Sequence, residues 1–241
     1  MPTAPSHPLS APKTPSSSIP PMIRWKRPQT RSWPSWRHNM HLFFYRTVIA
    51  IVRFLLKFVI RLKIVGKENI PMDGPCIICC NHVAWFDGVI MVLIHKRVVK
   101  VMSKKEIFDF FLTRWIMKFV YFFPVDRDKN DVNAVKTALK ILKDGEPLGI
   151  FPEGTRSKSG VLLPFHDGPV TLAFRQKVPI VPMGRSGRTH IFGKICVSIG
   201  EPFYIESDSR RLSKEETAAA TQLLREHIIS EVEKAEQLKH G

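Results

Sequence analysis

From residue 61 onward the chain alternates short apolar runs with longer amphipathic ones, and no other feature restricts its fold so far. Apolar runs bounded by turn residues predict strands at 61–65, 75–80, 98–102, 120–125, 147–151, 179–183 and 195–199. The stretches between them predict helices over 87–95, 105–118, 131–143, 168–177 and 213–239. Ser213, with Glu216 three residues on and an apolar-periodic stretch behind, has the form of a capping box opening the last helix. Strands and helices taking turns in this way point to an α/β fold, a mostly parallel central sheet flanked by helices. A chain of 241 residues is enough for one such domain with appendages.

Ahead of that domain the composition changes. Residues 1–38 are rich in Pro, Ser and Arg, lack hydrophobic periodicity, and are expected to be a disordered tail. Their acid-poor, Ser-rich character fits a transit peptide, but the proline density opposes an amphipathic targeting helix. A mis-called start, with Met22 and Met40 following, is an equal alternative.

The segment HLFFYRTVIAIVRFLLKFVIRLKIV, residues 41–65, has the length of a membrane span but carries Arg46, Arg53, Lys57 and Arg61. On a helix the last three fall about −20°, 20° and 60° from Arg46, in one narrow stripe. Spanning would take that stripe through hydrocarbon, at roughly 2.5 to 3.5 kcal/mol for a charge near the centre. Lying in the interface instead gains about 1 kcal/mol per basic residue beside anionic lipid. The expected division is therefore a tail at 1–38, an amphipathic basic membrane-associating helix at 39–64, and the folded domain at 65–241. The plainer alternative is a helix packed on the domain with its basic face in water. A cleaved signal peptide is opposed by the charges and by the lack of a small-residue cleavage site.

Charge follows the same division. The formal net charge is +16, yet residues 1–67 hold twelve Lys and Arg and no acidic residue. That leaves twenty-five basic against twenty-one acidic residues, or +4, for the rest. An anionic partner for the N-terminal quarter is implied, a nucleic acid or a membrane surface. Because the charge is not interleaved with aromatics on a folded face, a membrane phospholipid surface is expected and nucleic acid is not. The cysteines, at 76, 79, 80 and 196, include three in one apolar run with no zinc-site spacing. They are expected to be reduced packing residues in a cytosol-facing protein, with no metal or bound cofactor.

Four segments carry groups capable of chemistry. In CIICCNHVAWFDGVI, residues 76–90, an apolar run stops at Asn81-His82 and Asp87 follows. On one continuous helix His82 and Asp87 would lie some 140° apart and could not meet. If the run is a strand and the chain turns at its carboxyl end, Asp87 falls in the first helical turn and can point back at the imidazole. It would then fix the ring tautomer and stabilise the imidazolium. No serine nucleophile lies nearby, so the base would act on a substrate hydroxyl or on water. By itself this spacing is weak, since it arises often by chance and a lone buried histidine is more often structural than catalytic. In PLGIFPEGTRSKSG, residues 147–160, Gly154 permits close backbone approach. Arg156 offers a planar fork for phosphate oxygens, and Thr155 and Ser157 add hydroxyl donors. Composition alone reads this as a solvated turn. YFFPVDRD, residues 121–128, ends an apolar strand in Asp126-Arg127. VPIVPMG, residues 178–184, is read as wall, its prolines indicating an edge or a strand end.

Taken in order, NHVAWFD, FPVDR, FPEGTRS and VPIVP resemble the glycerolipid acyltransferases, most specifically the 1-acyl-sn-glycerol-3-phosphate acyltransferases. GKENIP at 66–71 and GEP at 200–202 share the likeness, which spans roughly residues 60–205. The resemblance implies a glycerol-3-phosphate acyltransferase-like fold and acyl transfer from a thioester to the free hydroxyl of lysophosphatidic acid, giving phosphatidic acid. The donor would be acyl-CoA or an acyl-acyl carrier protein. Carried onto this chain, His82 would be the general base and Asp87 its partner. Arg127, Glu153, Gly154 and Arg156, with Thr155 beside them, would form the acceptor's phosphate and glycerol site. The resemblance also implies membrane attachment through N-terminal helices. Two departures stand out: Phe165-His166-Asp167-Gly168 replaces a lysine-bearing F-K-x-G, so His166 is given no binding role, and Tyr121–Phe123 stand where a glycine is common. Within the fold, the alternative acceptors are glycerol 3-phosphate, a lysophospholipid or a lyso-aminolipid. A covalent route through Cys79 or Cys80 is the mechanistic alternative, and a non-catalytic basic membrane-binding module the functional one.

Overall fold

The computed structural model describes residues 45–51, 54, 61–126, 131–187 and 193–240. Seven strands form one sheet: β1 (Arg61–Val65), β2 (Ile77–Cys80), β3 (Lys100–Lys104), β4 (Phe122–Val125), β5 (Leu148–Ile150), β6 (Ile180–Arg185) and β7 (Lys194–Ile199). Their spatial order is β1-β7-β6-β2-β5-β3-β4. Every neighbouring pair is parallel except β6 and β7. The carboxyl ends of β2 to β6 therefore share one edge of the sheet. Five α-helices follow the described strands: α1 (Asp87–Ile94), α2 (Phe111–Phe119), α3 (Val132–Lys143), α4 (Gly168–Gln176) and α5 (Lys214–His240).

Side-chain alternation along the strands divides the core into two layers. Ile77 and Cys79 of β2 face Ala138 and Leu142 of α3, Val170 and Ala173 of α4, and Leu224 and Ile228 of α5. Ile78 and Cys80 face the other way, onto Ile90 to Ile94 of α1 and onto Tyr45 and Ile49 of the N-terminal helical segment. All four β2 side chains are buried, which is why this strand reads as an unbroken apolar run. Local chemistry sets the helix starts. Asp131 accepts from the N–H groups of Asn133 and Ala134 ahead of α3, and Ser213 and Glu216 bond each other's backbone N–H as a capping box before α5.

The expected elements stand within a few residues of their predicted bounds, with four informative differences. First, the 105–118 helix is divided into a 3₁₀ turn, Lys105–Phe108, and α2. The Thr113 hydroxyl and the Arg114 guanidinium reach back to the carbonyls of residues 107–110, and Phe110 is extended. Second, the expected helix cannot run to residue 64, because Arg61 is the first residue of β1 and pairs with Lys194. Arg61 leaves the basic stripe; Arg53, Lys57 and the tail 1–38 lie outside the described residues. Tyr45 and Ile49 are buried in the core, whereas Ile51 and Phe54 are exposed. Among the described residues no helix is long and apolar enough to cross a membrane.

Third, β6 is interior rather than at an edge. The Ile180 N–H reaches Phe203, and the β7 ladder begins only at Met183, so the N–H that Pro182 lacks falls in the gap between them. Fourth, Tyr121 adopts the left-handed region at φ 62° where glycine would be unstrained. Its ring packs edge-on against Tyr45 at 5.2 Å, which ties the N-terminal segment to the start of β4.

Helix α5 lies so close over β6 that a Cβ on Gly184 would stand 2.1 Å from the Glu231 carbonyl carbon and 2.2 Å from the Val232 nitrogen. Both are helix backbone and cannot rotate away. Gly184→Ala is expected to destabilise the fold by about 3 kcal/mol or more, read as a lower urea midpoint in chemical denaturation. An unchanged midpoint would mean that α5 does not pack here as described.

Candidate active site

Strand β2 ends at Cys80, and Asn81 continues its hydrogen bonding with a side chain. The Asn81 amide donates to the Arg185 carbonyl at 3.0 Å, and its oxygen accepts the Arg185 N–H at 2.7 Å. A primary amide presents the donor and acceptor that a further strand residue would present, so β6 runs two residues beyond its expected end. His82 is thereby held at the carboxyl edge of the sheet.

The chain then turns, and Asp87 opens α1. Its Oδ2 lies 3.0 Å from His82 Nδ1 and accepts the N–H groups of Val83 at 2.8 Å and Ala84 at 2.7 Å. The carboxylate is 2 % exposed and His82 9 %. An ionised carboxylate only accepts, so it orients the ring with Nδ1 as the donor and turns Nε2 away from it. The imidazole stacks on Phe151 with centroids 4.2 Å apart, which fixes its plane.

The loop after β5 is fastened to this turn. Glu153 Oε1 accepts the His82 N–H at 2.7 Å, Oε2 accepts the Leu163 N–H at 2.9 Å, and the Ser157 N–H reaches the His82 carbonyl at 2.8 Å. Burial raises the Glu153 carboxyl above its usual range, an effect that the two backbone donors oppose. Both Glu153 oxygens thus act as a strut between loops. Gly154 adopts φ 66°, and a Cβ there would stand 2.7 Å from His166 Nε2, so His166 packs directly on this turn. Thr155 and Arg156 are exposed, with no hydrogen bond or ion pair to the described residues. Arg127 lies outside the described residues. A cavity of about 540 Å³ opens beside the loop, lined by Val125, Phe151, Pro152, Gly154, His166 and Leu172 among others.

One residue that the sequence reading passed over belongs to the site. Arg185, at the end of the strand expected to be only wall, has a side chain 1 % exposed, with Nε 3.1 Å from Asp87 Oδ1. The two atoms are not aligned as a hydrogen bond, so the contact is electrostatic. The guanidinium carbon lies 5.4 Å from the centroid of the Phe86 ring.

An orienting carboxylate on Nδ1 and an open Nε2 equip the imidazole to take a proton from an incoming hydroxyl. The sequence model of the family described as Acyltransferase matches residues 61–186, the stretch that carries all four motifs. This chain belongs to the acyltransferase family.

Relatives at the sequence level point the same way. The 1-acyl-sn-glycerol-3-phosphate acyltransferase of Bacillus subtilis is 38 % identical over 185 residues, covering 73 % of this chain and 90 % of the relative. The protein of that name from Borreliella burgdorferi is 26 % identical, covering 72 % of each. Among solved structures, the 1-acyl-sn-glycerophosphate acyltransferase PlsC from Thermotoga maritima superposes with a TM-score of 0.67 at 23 % identity, over 88 % of this chain and 84 % of that one. That likeness is one of fold.

The covalent route that the cysteines invite has no support in this acyltransferase. Cys79 and Cys80 are buried, and burial raises both thiols well above their usual range. Cys76 is pushed up to about 12 by the same cause. A thiol held neutral in the sheet is not a nucleophile. Among the described residues no group of three His, Cys, Asp or Glu side chains could hold a metal ion.

Glu153→Gln would set an amide N–H against one of the two backbone N–H groups the carboxylate now accepts. It is expected to lower stability by about 1 to 3 kcal/mol, measured by urea denaturation. Wild-type stability would show that the strut is dispensable.

Proposed function

We propose that the chain transfers a fatty acyl group from an acyl thioester to the free hydroxyl of lysophosphatidic acid, forming phosphatidic acid. The observation that carries this reading is the buried His82–Asp87 contact at the carboxyl edge of the sheet, beside the Pro152–Ser157 turn. The 1-acyl-sn-glycerol-3-phosphate acyltransferases among its sequence relatives support the acceptor.

In this reading Asp87 holds the Nδ1 proton and His82 Nε2 takes the acceptor's hydroxyl proton as oxygen attacks the thioester carbonyl. The tetrahedral adduct then collapses, and the sulfur leaves with the proton returned from the imidazolium. General-base assistance of this kind supplies about 10² to 10⁴ in rate. The remainder comes from positioning and from stabilising the oxyanion.

We assign the acceptor's phosphate to Arg156 and Arg127, with Gly154 and Thr155 shaping its approach. Arg156 and Thr155 have the exposure that role requires. Glu153 serves the same site by holding the turn to His82. The donor is acyl-CoA or an acyl-acyl carrier protein, and no bound cofactor is required. A lipid acceptor implies a membrane face as workplace. The buried free cysteines favour its reducing, cytoplasmic side.

His82→Ala is expected to lower turnover of lysophosphatidate by two to four orders of magnitude, in line with loss of a general base at about 10² to 10⁴, with the circular dichroism spectrum retained. Product analysis with labelled acyl thioester and a panel of acceptors identifies the acceptor in the same assay. Full turnover by the folded variant would remove His82 from the chemistry. A preference for a neutral acceptor would remove lysophosphatidate.

A further inference from the structure

We propose that the outer face of α2 is a docking surface for an anionic phospholipid bilayer. Helix α2 has no buried residue, although the stretch from Phe110 to Phe119 is mostly apolar. Phe110 is 64 % exposed, Phe111 78 %, Leu112 50 %, Trp115 64 % and Ile116 40 %. On the helix, residues 111, 112, 115 and 116 span an arc of about 140°. Arg114 and Lys118 border that arc, and across Lys104–Phe119 four basic residues oppose two acidic ones.

Two polar side chains of the helix are engaged by the backbone before it. Thr113 bonds the carbonyls of Ile107 and Phe110, and Arg114 bonds those of Phe108 and Asp109. Trp and Phe on one face with Lys and Arg beside them is the composition of a helix lying in a lipid interface. A protein partner would be met more commonly by a packed patch with a polar rim than by a cationic border of this kind. The N-terminal segment adjoins the end of α2, with the Tyr45 and Phe119 rings 6.4 Å apart, and Ile51 and Phe54 are exposed further along it.

The test is flotation of the full chain with phosphatidylcholine vesicles, with and without phosphatidylglycerol. The wild type is expected to partition onto the anionic vesicles and to release at high salt. Phe111→Ser combined with Trp115→Ser alters only exposed side chains and is expected to reduce partitioning by about tenfold or more. Unchanged partitioning overturns the proposal. So does a change in oligomeric state without a change in vesicle binding, since a second copy of the chain would then cover the face. The activity arm rests on the functional reading above. The double variant should lose turnover of vesicle-borne lysophosphatidate and keep turnover of a water-soluble short-chain one. If the wild type acylates neither, the functional reading fails while flotation still judges the surface.

A separate observation carries a second inference: the structure assigns Arg185 as a positioning residue for the His82–Asp87 pair. Three donors hold Oδ2 of Asp87 and Arg185 Nε lies 3.1 Å from Oδ1, so the carboxylate is hydrogen-bonded at one oxygen and met by a buried cation at the other. Arg185 is itself fixed at its backbone by Asn81, the residue before His82. The same guanidinium offsets the Asp87 charge that the imidazole meets. The other titratable groups around His82 are Glu153 on the β5 loop and Cys80 at the end of β2.

Removing the cation leaves the carboxylate less tightly placed and its charge less offset. Arg185→Met is expected to lower kcat by about ten- to hundredfold through misplacement, with little change in KM. Its pH–rate profile should also have the acid limb moved toward higher pH, because the imidazolium becomes easier to form. Arg185→Lys, which keeps charge but not the side-on Nε, should restore the limb and only part of kcat. A folded Met variant with wild-type kcat and profile overturns the assignment. Should that variant not fold, wild-type kcat in the Lys variant does so instead.

Discussion

The Asp87 carboxylate is the junction on which the site depends. One oxygen accepts the imidazole and two successive backbone N–H groups, and the other faces a buried guanidinium. A buried carboxylate is tolerable only when its lone pairs are filled and its charge is met. Here groups within five residues of it fill Oδ2, and one side chain nearly a hundred residues away meets the charge at Oδ1, which accepts no hydrogen bond. The same bonds define the turn from β2 to α1. The Val83 and Ala84 N–H groups have no strand or helix partner at that turn, and Asp87 satisfies them from the first turn of α1. A negative charge there also lies at the favourable end of the helix dipole. Folding the turn and orienting the imidazole are one event.

Sheet order explains how distant segments reach that junction. β5 and β6 flank β2 and run parallel to it, so the residues after Ile150, after Cys80 and at Arg185 emerge at one edge. Each neighbour is then locked to the β2 end by polar side chains rather than by a longer ladder. Asn81 holds β6, and Glu153 with the Ser157 N–H holds the β5 loop. A longer ladder would have served the backbone equally well but would have buried His82 within the sheet. Ending the strand and substituting side chains leaves the ring at the rim.

What was legible in the sequence follows from whether the signal is local. Buried strands, the Ser213 capping box and the rough helix spans each have a mark within a few residues, and they stand close to where they were expected. The break between residues 105 and 111 left little trace, because Thr113 and Arg114 create it by reaching back to carbonyls that a helix would use elsewhere. Residues 61–65 satisfied both a helical period and a strand run, and pairing with β7 decided between them. His82 and Asp87 were readable from spacing once a turn was assumed. Arg185 was not. A single arginine after an apolar strand is usually solvated, and the contact that buries it comes from residues 81 and 87. Glu153 was visible as part of a motif, but only coordinates show its oxygens directed at backbone N–H groups.

The turn between His82 and Asp87 also divides its side chains between interior and surface. His82 and Asp87 are buried, while Trp85 between them is 78 % exposed, and Trp85 and Phe86 meet edge to face. Three contacts to one carboxylate oxygen hold this six-residue turn, so it moves as a unit. Trp85 makes none of these three contacts, so the carboxylate holds the backbone and the imidazole while the indole stands in the open. One buried carboxylate thus orients the ring and closes the turn that carries an exposed indole.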